Sequence, residues 1–173
     1  KPFACLGTVW EGLVSFELAR LLRQQQQRQP IHLFISAHRA AQIPDPDPPI
    51  HALPDPQFLA EIRRFNGTPE AVLNNTDLMQ LLLPTLRADF TTLDTYRYVS
   101  EPPLNCPITA LGGLQDPEAS YEELAAWQQQ TTEAFSLHRF PGDHFFLHPS
   151  QPLILQLLGQ ALLAHRVTLP ESV

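Results

Sequence analysis

Phe3-Ala4-Cys5-Leu6-Gly7-Thr8-Val9-Trp10-Glu11-Gly12-Leu13-Val14-Ser15-Phe16-Glu17-Leu18-Ala19-Arg20-Leu21-Leu22 is the stretch on which the fold turns. Phe3 to Leu6 is a short apolar run. Apolar residues then recur at helical spacing at Leu13, Val14, Phe16, Leu18, Leu21 and Leu22, which predicts a strand followed at once by a helix. Arg20, Arg23 and Arg28 with Gln24 to Gln27 read as a solvated helix tail, ended by Pro30. Further on, Ile31 to Ser36 reads as a buried strand, Cys106 to Leu111 as another that runs into Gly112-Gly113, and Ser136 to Phe140 as a last short one. A helix opens near Ser120, where Glu123 offers a capping box, and Pro152 to His165 forms a closing amphipathic helix. Strands separated by helices imply an α/β chain with a parallel sheet and crossover helices. A sheet of so few strands would leave its first strand an unprotected edge. The expectation is therefore that strands precede Lys1.

One region breaks the alternation. Six prolines fall between Pro44 and Pro56, too many for a helix or a central strand. Helical pieces follow at about Pro56 to Phe65, at Thr68 to Leu73 with Thr68 as N-cap and Pro69 first in the helix, and at Asp77 to Tyr98 with Pro84 bending it. Residues 44 to 98 thus read as a helical insertion or lid within a single domain spanning residues 1 to 173; an ordinary packing layer fits the same pattern.

Composition narrows the function classes. The chain has 173 residues, 43% hydrophobic and 17% charged, with a formal net charge of -7. That supports one globular core and argues against nucleic-acid binding, which needs a basic face. No apolar run approaches the roughly 18 residues of a membrane span, and the first residues are not a signal peptide. A cytoplasmic monomer without membrane association is expected. Cys5 and Cys106, each in an apolar run, read as small buried hydrophobes rather than a disulfide framework.

In open parallel sheets chemistry gathers at the carboxyl ends of the strands. Three loops qualify: Gly7 to Gly12, Gly112 to Pro117, and Pro141 to His148. The second carries Asp116 and the third His144. A carboxylate after one strand and a histidine after the next match the orienter and base of a Ser…Asp…His triad. Taken singly, Asp116 could merely initiate a turn and His144 could cap a loop. His144 and His148 beside Asp143 do not make a complete ligand set, so no metal and no cofactor are expected. Ser15 and Ser36 read as structural residues.

Several segments together resemble a family. They are Pro2-Phe3-Ala4, Leu13 to Arg20, Leu33-Phe34-Ile35-Ser36-Ala37-His38-Arg39-Ala40, Leu53-Pro54-Asp55, Leu82-Leu83-Pro84, Leu86 to Phe90, Pro107 to Gly113 with Asp116-Pro117, and Phe140-Pro141-Gly142 with His144-Phe145-Phe146. From Pro2 to about Leu163 the chain is similar to the type II, or editing, thioesterases of nonribosomal-peptide and polyketide synthesis. The resemblance implies an α/β-hydrolase fold lacking its amino-terminal strands. It implies a hydrolase that releases acyl or peptidyl groups from the phosphopantetheine arm of carrier proteins, with Asp116 and His144 as triad members and a mobile lid. Trp10 takes the position whose backbone N–H would face an oxyanion, the other donor belonging to an earlier loop. Arg20, Arg23, Arg63 and Arg64 could meet an acidic carrier or be merely solvated.

The departure falls on the nucleophile. The family carries G-H-S-x-G where this chain reads Gly7-Thr8-Val9-Trp10-Glu11, so Val9 stands where the serine belongs. A β-branched residue resists the positive φ of a nucleophile elbow, and Glu11 replaces a glycine. The expectation is a relaxed turn and no acyl-enzyme, with Glu11 keeping a Val9→Ser change from restoring turnover. A genetic origin is open. Codons TGT TTG GGC ACA GTT TGG GAG GGN encode Cys5 to Gly12, and the same string read from its third base gives Phe-Gly-His-Ser-Leu-Gly. A compensated frameshift over Cys5 to Glu11 would thus recover the motif; coding DNA incompatible with that string would refute it. The alternatives are a non-catalytic carrier-binding protein and a frameshifted gene fragment.

Overall fold

The computed structural model describes residues 1–65 and 67–168. The first strand, β1 (Cys5–Thr8), leads through one residue into helix α1 (Trp10–Gln24), and β2 (Leu33–Ser36) follows. After the insertion come β3 (Ile108–Gly113), a short helix at Tyr121–Ala125 continued by a 3-10 turn at Ala126–Gln130, β4 (Phe135–Phe140) and a closing helix at Gln151–Thr168. The sheet is fully parallel, in the order β1-β2-β3-β4. It has four strands, one from each of the four apolar runs of the α/β part. β2 and β3 are buried along their whole length, as parallel strands covered on both faces must be.

Boundaries moved where local chemistry outweighed the pattern. β1 begins at Cys5 and extends to Thr8, in register with Leu33 to Ser36. Helix α1 stops at Gln24, well before Pro30, because Gln26 adopts a left-handed φ of 54° and a Schellman ending forms, with Gln26 N–H donating to Arg23 O and Gln27 N–H to Leu22 O. Its tail is not uniformly solvated: Arg20 is buried, its guanidinium bound to Glu17 at 2.7 Å and Glu101 at 2.9 Å. Arg23 also reaches Glu101 and the carbonyls of Pro102 and Pro103. Cys106 is buried, whereas Cys5 is only half-buried.

The chain divides into two compact units, Pro44–Val99 and the remainder. The Pro44–Val99 unit contains α2 (Asp55–Phe65), α3 (Glu70–Leu73) and α4 (Thr76–Thr95) around Ile50, Phe58, Ile62, Leu73 and Met79. Pro69, not Thr68, caps α3, since its fixed φ of -56° with ψ of 139° suits the extended residue before the first turn. Asn75 caps α4 by accepting from Leu78 N–H. Asp94 closes the unit: its Oδ2 accepts from the backbone N–H groups of Ile50 and His51 and pairs with His51 Nδ1 at 2.8 Å. The Ser120–Glu123 capping box forms as expected in the other unit. No helix among the described residues is long and apolar enough to cross a membrane.

Candidate active site

The carboxyl ends of β1, β3 and β4 carry the residues in question. Val9, between β1 and α1, has φ 51° and ψ -124°. The turn is therefore not relaxed. Val9 N–H donates to Ser36 O at 2.8 Å, and Gly12 N–H donates to Val9 O at 3.1 Å. The β1 register and the buried face of α1 (Leu13, Phe16, Ala19) fix the chain on both sides, leaving one residue to make the turn. Positive φ costs a β-branched residue roughly 1–3 kcal/mol, and the surroundings over-determine it. Glu11 does not distort the elbow either. It is exposed and accepts from Thr8 Oγ1 at 2.6 Å. The tight approach of strand and helix is met by Gly7, where a Cβ would lie 2.3 Å from the Glu11 carbonyl oxygen.

Asp116 and His144 meet. His144 Nδ1 lies 3.0 Å from Asp116 Oδ2 and 3.1 Å from Oδ1, the two side chains being 10% and 0% exposed. Asp116 Oδ1 also accepts from Glu118 N–H at 2.8 Å. An acceptor on Nδ1 places the ring's proton there and leaves Nε2 as the basic nitrogen. Val9 packs beside the apolar group formed by Ala37, Leu111, Phe140, Phe146 and Ile154, so the elbow and the His144 loop share a wall. Trp10 is the first residue of α1, where a backbone N–H has no partner within the helix.

Sequence reasoning missed what holds the two loops together. Gln115 N–H donates to Gly142 O at 3.0 Å, and Gln115 Oε1 accepts from Gly142 N–H at 2.9 Å. Arg139 donates to the carbonyls of Gly113 at 2.8 Å and Leu114 at 2.9 Å. Gly113 has no room for a side chain, since a Cβ would sit 2.2 Å from Asp143 O. Only the Gly-Gly pair before Asp116 gave a hint of this close approach. Ser15 lies within α1, and Ser36 is buried with a hydroxyl that has no hydrogen-bond partner among the described residues. The residues around His148 form turns rather than a helix, and no group of three His, Cys, Asp or Glu among the described residues could hold a metal ion. Arg23, Arg63 and Arg64 are engaged with Glu101, Glu70, and Glu61 and Asp47 respectively.

Comparison with known proteins shows the family. The Thioesterase domain family matches residues 1–161. This chain belongs to the thioesterase family. The thioesterase chain is 47% identical over 161 residues to the gramicidin S biosynthesis protein GrsT of Aneurinibacillus migulanus, covering 93% of this chain and 63% of GrsT. It is 44% identical over 170 residues to LgrE of Brevibacillus parabrevis, named a linear gramicidin dehydrogenase, with 96% and 65% covered. The solved structure of the type II thioesterase BorB, from the borrelidin biosynthetic cluster, superposes with a TM-score of 0.83 at 34% identity, over 92% of this chain and 65% of BorB. The fold is that of the α/β-hydrolases. The thioesterase chain thus spans just under two thirds of the length of these relatives.

Proposed function

We propose that this chain descends from a type II thioesterase and is shaped to receive acyl or peptidyl thioesters carried on the phosphopantetheine arm of carrier proteins in nonribosomal-peptide or polyketide synthesis. The observation that carries the reading is the buried Asp116–His144 contact at 3.0 Å, assembled at the strand ends beside an elbow whose central residue is Val9. In this reading Asp116 holds the imidazole through Nδ1–H and stabilises its charged form. His144 Nε2 is the base, and the Trp10 N–H faces the oxygen that gains charge. The Pro44–Val99 unit is the acyl-gating insertion. Valine offers no oxygen to acylate, so the covalent route of a serine hydrolase is closed. The protein would work as a cytoplasmic monomer. The test mixes the purified chain with acyl-loaded carrier protein and measures both association and release of free acid. Association with acyl-loaded, over unloaded, carrier is the expected result; equal indifference to both would end the reading.

A second origin is favoured by the elbow itself. A valine held at φ 51° is in a backbone built for another residue, as the compensated frameshift over Cys5 to Glu11 requires. Coding DNA settles this point independently of any assay.

A further inference from the structure

We propose that this chain hydrolyses thioesters by direct attack of water, with His144 as general base and without an acyl-enzyme. The proposal rests on the thioesterase reading above and concerns how the same site works once the serine is gone.

The hydrogen bonds that assemble the base do not include the elbow, which meets the His144 loop through apolar packing. Asp116 and His144 are positioned by the β3–β4 loop contacts: Leu114 N–H to Phe140 O at 2.8 Å, the two Gln115–Gly142 hydrogen bonds, and the grip of Arg139 on Gly113 and Leu114. None of these touches residues 7 to 12. Replacing the nucleophile therefore leaves the dyad loaded, with the proton on Nδ1 and the lone pair on Nε2. The elbow in turn keeps its shape with valine in it, which holds the Trp10 N–H at the start of α1. The Val9 side chain can neither accept nor donate a hydrogen bond, and its backbone N–H and carbonyl are engaged with Ser36 and Gly12, so the position 9 side chain does not compete for Nε2. A general base and an oxyanion donor then remain around a thioester, an acyl group activated enough for water to attack.

The step balances without a co-reactant. Water gives a proton to His144 Nε2 as its oxygen bonds to the carbonyl carbon, and the carbonyl electron pair moves onto the oxygen facing Trp10 N–H. Collapse breaks the C–S bond, and the imidazolium returns the proton to the departing thiolate. The products are a carboxylic acid and a free thiol.

Oxyanion contacts and binding alone leave about 10³–10⁴-fold acceleration in a hydrolase stripped of its triad, so turnover by itself does not discriminate. Its dependence on His144 does, because a general base contributes about 10²–10⁴-fold. The experiment follows acid release from butyryl-N-acetylcysteamine and from butyryl-loaded carrier protein, and determines the intact mass of the protein after an acid quench. His144→Ala and Asp116→Asn are expected to lower turnover by roughly 10²-fold, added imidazole to restore part of it in His144→Ala, and no butyryl adduct to accumulate. Imidazole rescue separates loss of the base from loss of the fold. Turnover unchanged in His144→Ala, or an acyl adduct on the protein, overturns water attack. Selective binding of loaded carrier without His144-dependent turnover also overturns it while leaving the carrier reading standing; neither binding nor turnover ends both.

Discussion

His32 shows how a single residue couples the core to pH. Its Nε2 lies 2.8 Å from Thr109 Oγ1, which pairs with Ser136 at 2.9 Å, and its Nδ1 lies 3.1 Å from His165 Nε2. Burial, with His165 close by, pushes its pKa down from 6.5 to about 4. The folded chain therefore refuses a proton that the unfolded chain accepts between those values. Stability is full above pH 6.5 and falls as the pH drops toward about 4, by about 3 kcal/mol in all. Urea titrations at several pH values should show this slope, and His32→Asn should flatten it. Burial also pushes the Cys106 thiol up to about 12, which keeps it protonated, so iodoacetamide at neutral pH should leave Cys106 unmodified in the native chain. At this scale the sequence was informative about chemistry and silent about partners. Asp116 and His144 could be named from their places after two strands, but the histidine chain joins residues far apart in sequence that no spacing pattern connects. Val9 was the reverse case: its type predicted a relaxed turn, and tertiary constraint overrode the residue's own preference.

Among the elements, the β1–α1 junction is closely packed. A Cβ on Gly7 would lie 2.3 Å from the Glu11 carbonyl oxygen, whereas one on Gly12 would meet Ile35 Cγ2, a side-chain atom, at 2.8 Å. Gly7→Ala should therefore cost about 3 kcal/mol or more, and Gly12→Ala about 1 kcal/mol, because a methyl group can yield and a backbone cannot. Chemical denaturation of the two variants measures the difference. Glu101 is the other fixed point, holding Arg20 and Arg23 on α1. Glu101→Ala should destabilise by about 1–3 kcal/mol, since the buried Arg20 loses a carboxylate partner. Helices and strands were legible where a period was sustained, as in α1, α4 and β3. Their ends were not always, because Gln26 and Pro69 terminate or cap by backbone conformation rather than by the residue types that usually mark such sites.

For the whole molecule, the two compact units have separate cores. Phe58 is fully buried in the helical unit, edge-on to Phe90 at 5.6 Å and beneath Arg87 at 4.4 Å. Phe58→Ala should cost that unit about 3–5 kcal/mol. Hydrogen exchange should then speed up across residues 58 to 90 while β2 and β3 remain protected. The alternation of strands and helices made the parallel sheet legible, and the proline-dense crossing marked where the alternation stops. The order of strands has a kinetic corollary for the elbow. Among the described residues β1 pairs with β2, and Val9, the residue holding unfavourable torsion, follows directly after β1. Opening events that peel β1 from β2 release that torsion as they begin, which lowers their free energy relative to openings elsewhere in the sheet. The amide of Val9, which donates to Ser36, should accordingly exchange with solvent far sooner than those of β3, and the Trp10 N–H beside it, proposed above as the oxyanion donor, would be organised only for as long as that one hydrogen bond stays closed.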